Sequence, residues 1–176
     1  MAMKRYTRDI ILNAAYELSL EIGMDALSMR KIAKRVGCSV MPLYENFESK
    51  EELISAVSTF NEQVYNFKSE TMYDRYHKLL RDGLKYPKFF SSILKHDVNN
   101  PHQEEVITNL CDLLRKDERL KNMSNRDVYV LNSRIEIFII GMVFTYQQVE
   151  HHQNYYTTFI KQLDEMIEII VEAYKK

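Results

Sequence analysis

Residues 28–50, SMRKIAKRVGCSVMPLYENFESK, decide how this chain is read. Ser28 is a helix-capping residue, and the apolar residues Ile32, Ala33 and Val36 behind it follow helical spacing. Gly37 closes that short helix. Ser39 is placed to cap a second, spanning Val40 to Phe47, with Pro42 in its first turn, where no intrahelical donor is lost. Ser49 and Glu52 form the S-x-x-E capping box of a third. Arg30, Lys31, Lys34 and Arg35 crowd the first helix with no acid among them. Two short helices about a tight turn, with one cationic, make a helix-turn-helix, and double-stranded DNA becomes the first partner to consider.

Outward from this stretch the chain reads as all-α. Its 176 residues are 45% hydrophobic and 28% charged, with only 4 Gly and 3 Pro, and apolar residues recur every three or four positions with almost no alternation. A first helix is expected from Thr7 to about Ile22, with Ile10, Ile11, Ala14, Ala15 and Leu18 inward and Gly23 ending it. The small Ala15 and Ala33 let helices cross closely. Beyond Leu53 further helices are predicted near 70–85, 88–96, 102–117, 125–151 and 154–174. Residues 1–52 are expected to form the DNA-binding domain and 53–176 a helical ligand-binding and dimerisation domain. The charge agrees in direction. The net charge is −1, but residues 1–50 carry 8 Lys/Arg against 6 Asp/Glu, so a basic head sits on an acidic body.

Other classes are weakly supported. The chain has no G-x-S-x-G, P-loop, G-x-G-x-x-G or H-E-x-x-H, so no enzyme activity and no cofactor are expected. His151 and His152 are adjacent and diverge by about 100° on a helix, so no metal site is expected. Cys38 and Cys111 read as reduced thiols. No apolar run of about 18 residues and no signal-peptide core stand out, which predicts a cytoplasmic chain without a membrane span.

The pattern T7-R8-x-x-I11-L12-x-A14-A15-x-x-L18, then G23, then L27-S28-x-R30-x-I32-A33-x-x-x-G37-C38-S39-x-x-x-L43-Y44-x-N46-F47-x-S49-K50-E51-x-L53 resembles the N-terminal domain of the tetracycline-repressor (TetR) family of transcription regulators. The resemblance covers about residues 6–57. It implies a homodimer on a palindromic operator, with the Val40–Phe47 helix of each head in a major groove and an unidentified small-molecule inducer bound in the body. The expected function is therefore a ligand-responsive DNA-binding repressor. The alternative is a helical protein-interaction module whose helix-turn-helix no longer binds DNA specifically. Salt dependence separates the two, because only phosphate contacts release counterions.

Helical geometry assigns base contact to Val40, Met41, Pro42 and Glu45, on the face opposite Leu43 and Phe47. Three of these are apolar and touch thymine methyls. Glu45 either accepts from a cytosine amine or repels phosphate. The resemblance puts Arg30 at a position that reaches a base, with a plain phosphate contact as the other reading. It puts Tyr44 and Lys50 at phosphate-binding positions. Lys31 joins the cationic face, and Ser28 and Ser39 are caps first and phosphate donors second. Asn46 stands where the family commonly has His, and Pro42 where it commonly has a small residue or Thr. Dimerisation is assigned to the two C-terminal helices, about 125–151 and 154–174. Phe67, Tyr76, Phe90, Cys111, Phe138, Met142 and Tyr146 are the candidates for lining an apolar ligand pocket.

Overall fold

The computed structural model of the chain describes residues 6–96, 103–148 and 155–174. The described residues contain no strand. The helices are α1 (Arg8–Ile22), α2 (Met29–Val36), α3 (Met41–Tyr44), α4 (Lys50–Phe67), α5 (Met72–Lys85), α6 (Pro87–His96), α7 (Gln103–Leu114), α8 (Asn125–Gln148) and α9 (Tyr155–Ala173), with a 3₁₀ turn at Met24–Ala26. Asn100, Pro101, Glu150, His151 and His152, and the expected helix ends at 102, 149–151 and 154, lie outside the described residues.

The chain forms two compact units. The first comprises residues 1–62 and 88–102, the second residues 63–87 and 103–176. The boundary expected at 52/53 follows the DNA-reading segment. Packing divides the chain elsewhere, because α4 belongs to the first unit as far as Glu62 and the Phe89–Phe90 end of α6 is buried in that unit as well.

In the first unit, caps start the helices where the sequence places them. Thr7 Oγ1 accepts from the Ile10 amide, and Ser28 Oγ from the Lys31 amide. Ile11, Ala15, Leu18, Ile32 and Ala33 are buried where α1 and α2 meet, and Leu43, Phe47, Leu53 and Val57 join the same core. Ile10, expected inward, is exposed. It lies about 100° from Ile11, which takes the core position. Tyr16 makes edge-on contacts with Phe60 and Phe89, at centroid distances of 5.2 and 6.1 Å.

Two glycines are required by backbone conformation. Gly37 ends α2 in the left-handed region (φ 77°, ψ 38°). Gly23 ends α1 at φ 84°, ψ 157°, a conformation open only to glycine. A Cβ on Gly23 would also lie 3.0 Å from the Lys88 carbonyl oxygen. Next to it the Met24 amide donates to Ser92 Oγ at 2.8 Å.

In the second unit α8 packs against α5, α7 and α9. Val128, Leu131, Ile135, Ile139, Met142 and Val143 form its buried stripe, and α9 answers with Phe159, Leu163, Ile167 and Val171. One polar cluster is buried between α5 and α8. The Arg75 guanidinium donates to Glu136 Oε1 at 2.9 Å and to Asn132 Oδ1 at 3.3 Å, and Tyr76 Oη donates to the same Asn132 oxygen at 2.9 Å. Burial pushes the Tyr76 phenol far above its ordinary pKa. By length and composition α8 is apolar enough to cross a membrane, an 18-residue stretch of it reaching mean hydropathy 1.5. The expectation that no such run exists is corrected to that extent. Arg134 and Glu136 interrupt the run, and the 18-residue stretch that contains them is still this apolar. Its place among α5, α7 and α9 is that of a core helix.

The two glycines separate by substitution. Gly37→Ala meets no neighbouring atom and should cost about 1 kcal/mol, the left-handed penalty alone. Gly23→Ala adds a backbone contact to a conformational penalty and should cost roughly 2–3 kcal/mol. Urea unfolding of the two variants measures the difference.

Candidate nucleic-acid interface

The helix-turn-helix is built from α2, the Gly37 turn and α3. Regular α-helix covers only Met41–Tyr44, although turn hydrogen bonds continue it, Phe47 N–H to the Leu43 oxygen at 2.9 Å among them. The expected cap also differs. Val40, not Ser39, is the N-cap, and it makes no side-chain cap bond. The backbone is already helical at Val40 (φ −74°, ψ −21°), so Ser39 stands one position too early.

Leu43 and Phe47 are buried and set the orientation of α3. Met41 is then 70% exposed and Tyr44 55% exposed. Glu45 is exposed too, while Val40 and Pro42 are half-buried at the edge of the same face. The expected set thus comes together on one surface, with Met41 as its most prominent apolar group.

The cations sort into engaged and unengaged. Arg35, on the far side of α2, donates to both carboxylate oxygens of Glu21 at 2.7 and 3.0 Å and lies 3.5 Å from Glu17. That hydrogen bonding holds the Glu21 carboxyl below its ordinary pKa. Lys31 remains exposed but donates its ammonium to the Ala26 carbonyl at 2.8 Å. The side chains of Arg30, Lys34 and Lys50, with those of Tyr44 and Glu45, make no hydrogen bond or ion pair among the described residues. Lys50 is the first residue of α4, where free backbone amides add to its attraction for an anion. Cys38 is half-buried in the turn, and burial raises its thiol pKa.

Asn46 has an internal task. Its amide donates to the Pro42 carbonyl at 2.7 Å and to the Tyr6 carbonyl at 3.4 Å, tying α3 to the segment before α1. Its own carbonyl accepts from Arg8 Nη1 at 2.5 Å. Arg8 also donates to Glu52 Oε1 at 2.8 Å, and its guanidinium stacks 4.1 Å over the Phe47 ring. Glu52 in turn accepts from the Glu48 amide, while Ser49 Oγ accepts from the Glu52 amide. Hydrogen bonds from Arg8, then from the Glu48 amide, hold the Glu52 carboxyl below its ordinary pKa. Sequence reasoning missed Arg8 as part of the site. Its signal was the capping-box Glu52, but their separation in sequence left the pair undetectable.

Tyr76, Cys111 and Met142 are buried and Phe138 and Tyr146 half-buried, all in the second unit, whereas Phe90 is buried in the first. The Phe67 side chain lies outside the described residues. Cys111 is held at 3.9 Å to the Asn125 carbonyl, and Tyr146 is packed edge-on against Tyr155 and Phe159. Cavities of about 460 and 160 Å³ and an open groove of about 630 Å³ lie in the second unit. Their walls come from other residues, notably Arg119, Arg134 and Tyr174 in the 460 Å³ cavity and Tyr73, Glu168 and Ile169 in the groove. Among the described residues no group of three or more His, Cys, Asp or Glu is arranged to hold a metal ion.

A helix-turn-helix with an outward reading face, rimmed by unengaged cations, on an all-helical body defines a DNA-binding transcription regulator. Residues 11–57 match the family model described as bacterial regulatory proteins, tetR family. Over 56 residues the chain is 32% identical to the tetracycline repressor protein class C of Escherichia coli, a match spanning 32% of this chain and 26% of that repressor. The fold extends the likeness. A TetR transcriptional regulator from Rhodococcus sp. RHA1 superposes with TM-score 0.60 at 17% identity, covering 92% of this chain and 97% of its own. A single-substitution variant of TetR from Acinetobacter baumannii AYE, in complex with minocycline, does so with TM-score 0.60 at 19% identity, covering 94% and 96%. In sequence the likeness to the TetR family is confined to the N-terminal part of the chain.

Arg8 offers a direct check on the sorting of cations. Arg8→Met keeps the stack on Phe47 and loses the polar bonds. It should cost about 1 kcal/mol, because Arg8 and Glu52 are partly exposed. The slope of log K against log salt should stay unchanged, because Glu52 already neutralises the charge. A slope reduced by about 0.9 would instead place Arg8 on a phosphate.

Proposed function

We propose that the chain is a ligand-responsive repressor that binds a palindromic operator as a homodimer and is released by a small-molecule inducer. The observation that carries the DNA half of this reading is the pairing of an exposed α3 face with Arg30, Lys34, Tyr44 and Lys50, all unengaged beside it. Cations without internal partners retain their full attraction for phosphate. Ser28 and Ser39 are at hand as minor phosphate donors, and Lys31 as a cation tethered by one bond.

The reading is weighted toward shape and methyl contact. Val40, Met41 and Pro42 have no side-chain hydrogen bond to offer a base, so they suit thymine methyls. Arg30 is the group able to pair bidentately with guanine, and Tyr44 and Lys50 then supply affinity without sequence information.

Homodimerisation is supported by apolar side chains left uncovered on the second unit. Ile137 and Phe144 on α8 are 68% and 64% exposed, and Ile169 on α9 is 64% exposed. Two helices from each copy would bury them in a four-helix interface. The inducer is the least specified part. The A. baumannii relative is in complex with minocycline, and a small molecule in the second unit of this chain is the corresponding proposal.

Selection of bound sequences from random DNA should return a palindrome with thymines under α3 and a guanine near Arg30. A non-palindromic consensus would overturn the two-headed reading. In gel shifts, Arg30→Ala should weaken operator binding by roughly 1–3 kcal/mol while sparing a scrambled duplex. Lys50→Ala should weaken both alike. Equal loss on both duplexes for Arg30→Ala would remove it from base reading.

A further inference from the structure

Met41 and Glu45 stand one helical turn apart on the reading face. The Glu45 amide donates to the Met41 carbonyl at 3.0 Å, and the backbone is still right-handed helical at Glu45 (φ −73°, ψ −18°). Residues at this spacing are neighbours on a helix surface, with Cβ atoms about 5–6 Å apart. The buried Leu43 and Phe47 turn the pair outward, and both side chains are exposed. The Glu45 carboxylate makes no hydrogen bond or ion pair among the described residues. An unpartnered acid on a face that meets phosphates weakens binding to every sequence, unless a donor on the DNA answers it. The neighbour it shares that face with, Met41, offers apolar contact.

The bases answer such a pair differently in the major groove. Thymine carries a C5 methyl beside the O4 acceptor, and cytosine carries an N4 amine donor beside a bare C5. Thymine satisfies Met41 and sets its O4 against the carboxylate. Cytosine satisfies Glu45 and leaves Met41 without a methyl. Guanine presents two acceptors, and adenine a donor with no methyl. A cytosine methylated at C5 holds methyl and amine on adjacent ring atoms and matches both side chains at once. Methylation on an exocyclic amine does not, because the hydrogen that remains is used in base pairing and the donor facing the groove is lost.

Resting on the DNA-binding reading above, we propose that α3 reads 5-methylcytosine, with Met41 against the C5 methyl and Glu45 accepting from the N4 amine of the same base. The chain is then a regulator that responds to the methylation of its operator. Val40 and Pro42, at the edge of the same face, stay available for thymine methyls at neighbouring base pairs. Burying one methyl is worth about fourfold in affinity per head, and about fifteenfold for two heads on one operator.

The test selects duplexes bound by the full chain from two random libraries, one built with cytosine and one with 5-methylcytosine throughout. The methylated library should return 5-methylcytosine at a fixed position of the site. Resynthesis of that site with cytosine or thymine at this position alone should weaken binding at least about fourfold. N4-methylcytosine there should bind no better than cytosine. Met41→Ala should abolish the difference between cytosine and 5-methylcytosine. Glu45→Gln, whose amide also donates, should abolish the discrimination against thymine. Specific binding with equal affinity for cytosine and 5-methylcytosine at every position would overturn the proposal and leave operator binding standing. Glu45→Ala binding every duplex more tightly by one common factor would reduce the carboxylate to phosphate repulsion, and would overturn it as well. Absence of sequence-specific binding from either library would overturn the DNA-binding reading and the proposal together.

Discussion

The reading surface depends on the burial of two side chains, Leu43 and Phe47. A helix of four residues has no cooperative stability of its own, since nucleation costs more than so few hydrogen bonds return. What holds α3 is the core beneath it and the brace around it. Leu43 and Phe47 enter that core. Arg8 caps the Phe47 ring and ties the Asn46 carbonyl to Glu52, and the Asn46 amide ties Pro42 to the segment before α1. Burying two such side chains is worth roughly 3–6 kcal/mol, several times what the surface ion pair contributes. The apolar anchors therefore decide orientation, and the polar brace removes the remaining freedom at the end of the helix.

The same accounting explains how a chain with net charge −1 presents a DNA-binding face. Acids are placed where they silence particular cations. Glu21 and Glu17 take Arg35, and Glu52 takes Arg8. Arg30, Lys34 and Lys50 keep their charge for an outside partner. Few free cations favour modest nonspecific affinity, and in the proposed reading sequence discrimination comes from Arg30, from the apolar surface around Met41 and from DNA shape.

In the second unit α8 answers to two demands. Its inner stripe meets α5, α7 and α9, and the Arg75–Asn132–Glu136 cluster with Tyr76 fixes its register against α5, because a shifted helix would strand a buried guanidinium. Its outer stripe, with Val130, Ile137 and Phe144, stays exposed among the described residues. A helix hydrophobic on both sides reaches the hydropathy of a membrane segment for reasons that belong to protein packing.

Local chemistry was legible in the sequence. Caps at Thr7 and Ser28, the stops at Gly23 and Gly37, the Ser49–Glu52 box and the apolar periods located the helices, and fixed-spacing matches over α1 to α4 carried the resemblance to the TetR family. These signals are short-range, and the physics behind each acts within a turn or two. What they could not carry was long-range pairing. The join of Arg8 to Asn46 and Glu52, the inward turn of Asn46, the silencing of Arg35 and the burial of Phe89 and Phe90 in the first unit all bring together residues far apart in the chain. The aromatic and Met residues read as pocket lining show the same limit, since a periodic apolar residue looks alike in a core and in a cavity wall. Composition and period determined which residues are helical and which face is apolar. Only the tertiary structure decided which charges stay free, because a charge is available to DNA only when folding has not already given it a partner.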